Sequence, residues 1–311
     1  MEDFMTSTPL VRKAIIPAAG YGTRMLPASR GVRKEMFPLL DIDGAMKPVV
    51  QVIIEEALES GIEEICLVVS PGGQQMLEAY FAAPDSRLSQ AVKGRRALEQ
   101  ELDRLAVIGR HITYVVQEQQ RGYGDAVHCA ANWVGDEPAL VMLGDHVYLS
   151  TERRRCARQL IDIFGECQSP ISAVKRRDIG QLHLYGTVLG QQEQISPPLY
   201  RVSRMVEKPT PERAREHLQM KDLPRDTYLC FFGLHLMTPD VFECLAEMKA
   251  SNGRGMNELQ FTEAQAMLVE RRPYYACEIN GEPYDTGVPT GYLETMNAFN
   301  DARLKGQSTQ F

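Results

Sequence analysis

The sequence predicts an α/β protein: a doubly wound, mixed and mainly parallel sheet flanked by helices, followed by a second half of α+β character. Three observations carry this expectation. Short β-branched runs alternate with longer stretches of helical spacing up to about residue 150, and strand, helix, strand in that order requires crossover connections and parallel pairing. Beyond residue 150 the rhythm changes to clustered strands with a few helices. No repeat, Pro/Ser linker or low-complexity tract separates the halves. We therefore expect a single domain over residues 10–303, with halves at 10–150 and 151–303 and with tails at 1–9 and 304–311.

Taken in order, Ala14-Ile15-Ile16 reads as a buried strand running into a glycine turn at Ala18-Ala19-Gly20-Tyr21-Gly22. Pro48 stands where a helix begins, and Val49, Val52, Ile53, Ala57 and Leu58 recur at helical spacing until Gly61 stops it. Ile65 to Val69 is the next strand. Leu88, Val92, Leu98, Leu102 and Leu105 predict a charged surface helix, followed by a strand from Ile112 to Val116. Gly124 to Trp133 is helical, and Ala139 to Leu143 is an apolar strand ending at Gly144-Asp145. In the second half a helix near Cys156 to Phe164 precedes strands at Ile171 to Lys175, Gly186 to Leu189, Arg201 to Val206 and Phe231 to Met237. Further helices are expected near Pro239 to Lys249, Glu258 to Glu270 and Gly291 to Phe299.

Composition excludes several classes. The 311 residues are 44% hydrophobic and 24% charged, close to globular averages, which argues against global disorder. Lys and Arg number 34 against 41 Asp and Glu, a net charge of −7. That balance argues against coating nucleic acid, so any polyanionic ligand must meet a local positive cluster. The seven cysteines match neither a zinc knuckle nor a CxxC pair, and are expected to be reduced core thiols. The acidic start Met1-Glu2-Asp3-Phe4-Met5 carries no apolar stretch, and no later run approaches the ~20 residues of a membrane span. A cytoplasmic protein without a membrane partner is the expectation.

The glycine turn carries the first chemistry, because a turn beyond the carboxyl end of a strand lets backbone N–H groups approach phosphates. Taken alone, it fits a plain turn equally well. A dinucleotide fingerprint needs a small residue where Met25 stands, and no Walker-type Gly-x-x-x-x-Gly-Lys-Ser/Thr run exists. Asp285-Thr286-Gly287 has the form of an aspartic protease motif, yet the second copy that chemistry needs is missing. After the turn, Arg24, Arg30, Arg33 and Lys34 follow with no acidic residue among them. Four positive charges in a net-negative chain suit a nucleoside triphosphate.

The run from Ala18 to Pro27 continuing to Lys34-Glu35-Met36-Phe37-Pro38 resembles the signature loop of the sugar-1-phosphate nucleotidyltransferases, and within them the bacterial UTP:glucose-1-phosphate uridylyltransferases. Further stations follow in the family's order: Gln117, Gly122 to Val127, Gly144-Asp145, Tyr185-Gly186, Val206 to Pro209, Asn257 to Ala264, and Tyr284 to Gly287 with Gly291-Tyr292.

The resemblance implies a Rossmann-like nucleotidyltransferase fold whose first half binds the nucleotide and whose second half binds the sugar phosphate. It implies that Ala19, Gly20, Gly22, Thr23, Gln117 and Gly122 bind the nucleotide, that Arg24 and Lys34 hold the triphosphate, and that Asp145 and Asp285 hold Mg²⁺. Tyr185, Gly186 and Glu207 would line the sugar pocket, and Lys208 would meet the sugar's phosphate. The catalytic set is then Arg24, Lys34, Asp145 and Lys208. The implied reaction is Mg²⁺-dependent uridylyl transfer from UTP to glucose 1-phosphate, by an enzyme that is a homodimer or homotetramer. A sibling transferase using dTTP, N-acetylglucosamine or galactose would keep these roles, as would, without turnover, a nucleotide-sugar-binding regulator.

Four stretches depart from the uridylyl pattern. Ser29-Arg30 and Arg33-Lys34-Glu35 stand where that family has Thr-Lys and Pro-Lys-Glu. Leu143-Gly144-Asp145-His146 looks more like thymidylyl- and adenylyl-transferring cousins. Asp43 to Met46 forms a short insertion before Lys47-Pro48.

Overall fold

The computed structural model describes residues 11–251 and 258–308. Asn257 of the family-like stretch and the segment 1–9 lie outside them. The chain opens with β1 (Lys13–Ala18), a hairpin of β2 (Pro38–Leu40) and β3 (Met46–Pro48), α1 (Val49–Glu59) and β4 (Glu64–Val69). There follow α2 (Gln74–Phe81), α3 (Ser86–Val92), α4 (Arg96–Gly109), β5 (Ile112–Val116), α5 (Tyr123–Cys129), α6 (Ala131–Val134) and β6 (Ala139–Met142). The second half holds β7 (His146–Ser150), α7 (Cys156–Cys167), β8 (Ile171–Asp178), β9 (Gly186–Ile195), β10 (Pro198–Glu207), α8 (Pro211–His217) and β11 (Thr227–Met237). It closes with α9 (Asp240–Ser251), α10 (Phe261–Arg271), β12 (Tyr275–Glu278), β13 (Gly281–Asp285) and α11 (Pro289–Ser308).

Nine strands form one sheet in the order β5-β4-β1-β6-β11-β8-β12-β10-β9. The first four pair in parallel, as the crossover reading requires. From β11 onward the pairing is antiparallel except for β8 with β12, so the mixed character lies in the second half. Alternate residues of β1 serve opposite cores: Ala14 and Ile16 pack on one side with Val49, Ile53 and Leu160, and Ile15 on the other with Val127 and Val241. Helices thus cover both faces of the parallel strands, and β1, β4 and β6 read as apolar runs for that reason.

Several elements differ from expectation. The predicted surface helix over Leu88–Leu105 is two helices, α3 and α4, broken at Lys93 to Arg95 where Gly94 takes a left-handed φ of 80°. Four strands in two small ladders, β2 with β3 and β7 with β13, have no counterpart in the sequence reading, and neither does β12. The Asp43–Met46 insertion acquires a physical account. It turns the β2–β3 hairpin, and Asp41 and Asp43 there clamp the buried Lys47 ammonium at 2.7 and 2.5 Å. The last helix continues to Ser308, past the boundary expected at 303. All seven cysteines are free, as expected for core thiols. Among the described residues no helix is long and apolar enough to cross a membrane.

Candidate active site

A cleft of about 1500 Å³ opens along the carboxyl ends of the parallel strands and runs on between β9–β10 and the β13 loop. Three of its segments are placed by strand ends: Ala19-Gly20 after β1, Gln117 after β5 and Asp145 after β6. Open α/β sheets bind ligands at this position because side chains and backbone groups from several strands converge there.

The signature loop turns back on itself through Gly22, whose φ of 65° suits glycine, into a short 3-10 turn over Thr23–Met25. This brings Lys34 Nζ to 2.8 Å from Asp145 Oδ2 and the Arg24 guanidinium to 3.3 Å from both Asp145 and Asp285. Burial works against the Lys34 ammonium, but the Asp145 and Glu35 carboxylates together outweigh it and hold the lysine above its usual range. Burial likewise opposes ionisation of Asp145, yet Lys34 and the His146 contact keep its carboxyl well below the usual value. Asp145 is thus a largely shielded anion sustained by the cations beside it. Its backbone carbonyl accepts from the Thr286 N–H and hydroxyl, both at 2.8 Å, which ties the Asp145 turn to the β13 loop.

Asp145, His146 and Asp285 each present one ligand atom, all within 4.8 Å of one another. The two carboxylates are the hard oxygen donors that Mg²⁺ takes in small number beside phosphate oxygens, so these residues fit such an ion.

At the end of β5, Gln117 is almost fully buried. Its Nε2 donates to Asp125 Oδ2 at 2.8 Å and to the Gly122 carbonyl at 3.3 Å. An ionised carboxylate only accepts, so the amide nitrogen is committed and Oε1 is left to accept from a ligand. Gly122 has a φ of 101°, and a Cβ there would run into the Glu258 side chain and the Leu259 backbone. Glycine is required by both conformation and close approach.

Across the cleft, Glu207 pairs with Gly186 in the β10–β9 ladder, and its Oε2 accepts from the Thr262 hydroxyl at 2.7 Å. Lys208 follows in the left-handed region at φ 43°, and its N–H donates to the Tyr185 carbonyl at 3.2 Å. Its Nζ stays exposed and 3.8 Å from Glu207 Oε1.

The cleft therefore gathers Ala19, Gly20, Arg24, Lys34, Gln117, Gly122, Asp145, Tyr185, Gly186, Glu207, Lys208 and Asp285. Gly22 and Thr23 shape the loop but do not line the cleft. Arg30 and Arg33 do not line it either. Arg33 instead donates to Ser70 Oγ at 2.6 Å, fastening the loop to the end of β4.

Sequence reasoning missed Thr262, Arg177 and His235. Thr262 lay within the quoted 257–264 stretch, and Arg177 stacks near the Tyr185 ring at 5.7 Å while pairing with Glu282. His235 lies at the buried floor, bonded to Ser172 and Gln265, and burial lowers its pKa to about 3. Only the topology places it there, since β11 bulges around Gly233 between Phe231 and His235.

The family model for nucleotidyl transferases matches residues 13–302. A UTP–glucose-1-phosphate uridylyltransferase 2 of Streptococcus pyogenes serotype M3 is 36% identical over 287 residues, 92% of this chain and 89% of that one. A solved apo UDP-glucose pyrophosphorylase superposes with a TM-score of 0.79 at 30% identity, covering 94% of this chain and 99% of the other. A UTP-bound UGPase from Acinetobacter baumannii does so with a TM-score of 0.75 at 26% identity, covering 93% of each. Sequence and fold agree from end to end of the matched region: the chain belongs to the nucleotidyl transferase family, in its UTP–glucose-1-phosphate uridylyltransferase branch.

Proposed function

We propose that this protein transfers the uridylyl group of UTP to glucose 1-phosphate, giving UDP-glucose and pyrophosphate. The observation that carries the proposal is the arrangement of Arg24 and Lys34 around the Asp145–Asp285 pair, with Glu207 and Lys208 across the same cleft. The names of the relatives agree with it.

In the reaction a phosphate oxygen of the sugar attacks the α-phosphorus, the bond to the β-phosphate oxygen breaks, and pyrophosphate leaves. No covalent protein intermediate is needed, so the residues act by positioning and charge. Gln117 Oε1 accepts from the N3–H of uracil, which cytosine lacks. Lys34 and Arg24 leave Asp145 for the triphosphate oxygens and neutralise charge as pyrophosphate departs. Glu207, held by Thr262, accepts from sugar hydroxyls, and Lys208 places a point charge beside the sugar's phosphate. Asp145 and Asp285 would hold Mg²⁺, which when bound supplies further charge neutralisation on the phosphates.

Pyrophosphate release in Mg²⁺, with UTP, dTTP, CTP, ATP and GTP each set against a panel of sugar 1-phosphates, tests the proposal. The fastest release is expected with UTP and glucose 1-phosphate. Another preferred pair would move the assignment to a sibling activity, and no release with any pair would overturn turnover altogether.

A further inference from the structure

His146 belongs to the Leu143-Gly144-Asp145-His146 stretch that departs from the uridylyl pattern, and the fold sets it beside the acidic pair. In the β7–β13 ladder His146 stands directly opposite Asp285, and opposed residues of an antiparallel ladder project from one face. Asp145 immediately precedes β7, and its Oδ1 lies 3.0 Å from His146 Nδ1. Asp285 is fixed in turn by the Gly287 N–H, which donates to its Oδ1 at 2.7 Å. Three side chains from two strand ends thus converge with one donor atom each within 4.8 Å.

The 3.0 Å separation has a geometric meaning. Two neighbouring ligands on an octahedral ion, each at about 2.1 Å, stand about 3.0 Å apart. The Asp145 Oδ1 to His146 Nδ1 separation, now a hydrogen bond, equals that edge, so the two atoms could meet one ion at unchanged spacing. The lysine and the arginine meet Asp145 through Oδ2, not through Oδ1. In the tautomer with its proton on Nε2, Nδ1 carries the lone pair that an ion would take in place of the contact with Asp145 Oδ1.

Resting on the reading of this cleft as a cation-dependent transfer site, we propose that His146 is a third metal ligand through Nδ1 and shifts the site's preference from Mg²⁺ toward Mn²⁺ or Co²⁺. Mg²⁺ is satisfied by oxygen alone, whereas later first-row ions gain affinity from an imidazole nitrogen. Asp or Asn at this position would leave an all-oxygen site.

The test uses the full chain with UTP and MnCl₂ as the probe. Pulsed electron paramagnetic resonance of the bound Mn²⁺ is expected to show coupling to an imidazole nitrogen, and ¹⁵N-histidine labelling is expected to change that coupling, which distinguishes it from nitrogen on the nucleotide. His146→Asn is expected to lose the coupling and to reduce the preference for Mn²⁺ over Mg²⁺, read as the ratio of their Kd values, at least about tenfold. Bound Mn²⁺ without histidine coupling, or an unchanged ratio, overturns the role of His146 and leaves the Asp145–Asp285 site standing. Uptake of neither ion in the presence of UTP overturns the cation reading as well. The coupling in the unsubstituted chain decides the matter even if the variant does not fold.

Discussion

Charge at single residues decides how this cleft behaves before any ligand arrives. Lys34 is held against Asp145 in a half-buried pair, yet its removal leaves Asp145 with Arg24 and His146 as partners. Lys34→Ala should accordingly keep its fold and lose at least about tenfold in turnover, since one charge-stabilising donor is typically worth ~10²–10³ in rate. Circular dichroism and pyrophosphate release measure the two halves of that statement, and near-normal turnover would remove Lys34 from the chemistry. Its neighbour Glu35 has the opposite problem. It is buried with Oε1 lacking a hydrogen-bond partner, and desolvation, only partly offset by Lys34, raises its pKa to about 6. The folded chain therefore holds that proton more tightly than the unfolded chain does. Stability falls as pH rises from the ordinary carboxylate range through about 6, by on the order of 2 kcal/mol, and the loss then stays constant. Glu35→Gln should melt higher than the unsubstituted protein at pH 8, with the difference vanishing near pH 4. Equal melting temperatures at pH 8 would show that the carboxyl is relieved by other means.

Elements contribute by carrying those residues to one place, and the β2–β3 hairpin shows how much a small one can depend on a buried charge. Lys47 is nearly inaccessible and bonds Asp41, Asp43 and Glu55 at once, while Arg104 also reaches Glu55. Burial opposes its charge, but the three carboxylates prevail and raise its pKa. Lys47→Met would strand buried carboxylates, and breaking such a cluster costs about 3–5 kcal/mol. A drop in the denaturation midpoint of that size is expected in urea, and a change below about 1 kcal/mol would mean that the carboxylates reach water or protons cheaply. This hairpin also marks the limit of what the sequence discloses. The central strands β1, β4 and β6 were legible as β-branched or apolar runs between helical stretches because they lie in the interior of a covered parallel sheet, whereas the half-buried edge strand β5 was legible from its β-branched run alone. Strands β2, β3, β7 and β13 have three to five residues each; β2 is only Pro-Leu-Leu and the others mix polar with apolar positions, so neither period nor composition separates them from loop. The ordered motifs made most of the cleft legible, but His235 and the true direction of Arg33 depend on contacts across the sheet that spacing does not encode.

At the scale of the whole molecule, the question is whether the two halves are separable. Strand β6 is parallel to β1 on one side and antiparallel to β11 on the other, so the seam between the halves is an ordinary ladder with Leu234 to Met237 opposite Met142 to Ala139. Both cores cross that seam. One joins Ile16 and Val49 to Phe232 and Leu234, and the other joins Ile15 and Val68 to Leu229 and Val241. The site crosses it too, through the contacts of Arg24 and Lys34 with Asp145 and of Arg24 with Asp285. Cutting the chain at the seam would expose a central strand edge and half of each core. The two halves should therefore unfold together, although chains longer than about 150 residues often populate intermediates. Trp133, the single tryptophan, lies in the first half where the Lys13 ammonium sits 5.3 Å from its ring. Its fluorescence thus reports on that half, while far-ultraviolet circular dichroism reports on the whole. Coincident midpoints in urea are expected for one cooperative unit. A fluorescence transition displaced from the dichroism transition would mean that the β6–β11 ladder is a boundary between two domains, and the cleft would then be an interface whose closure binding could drive.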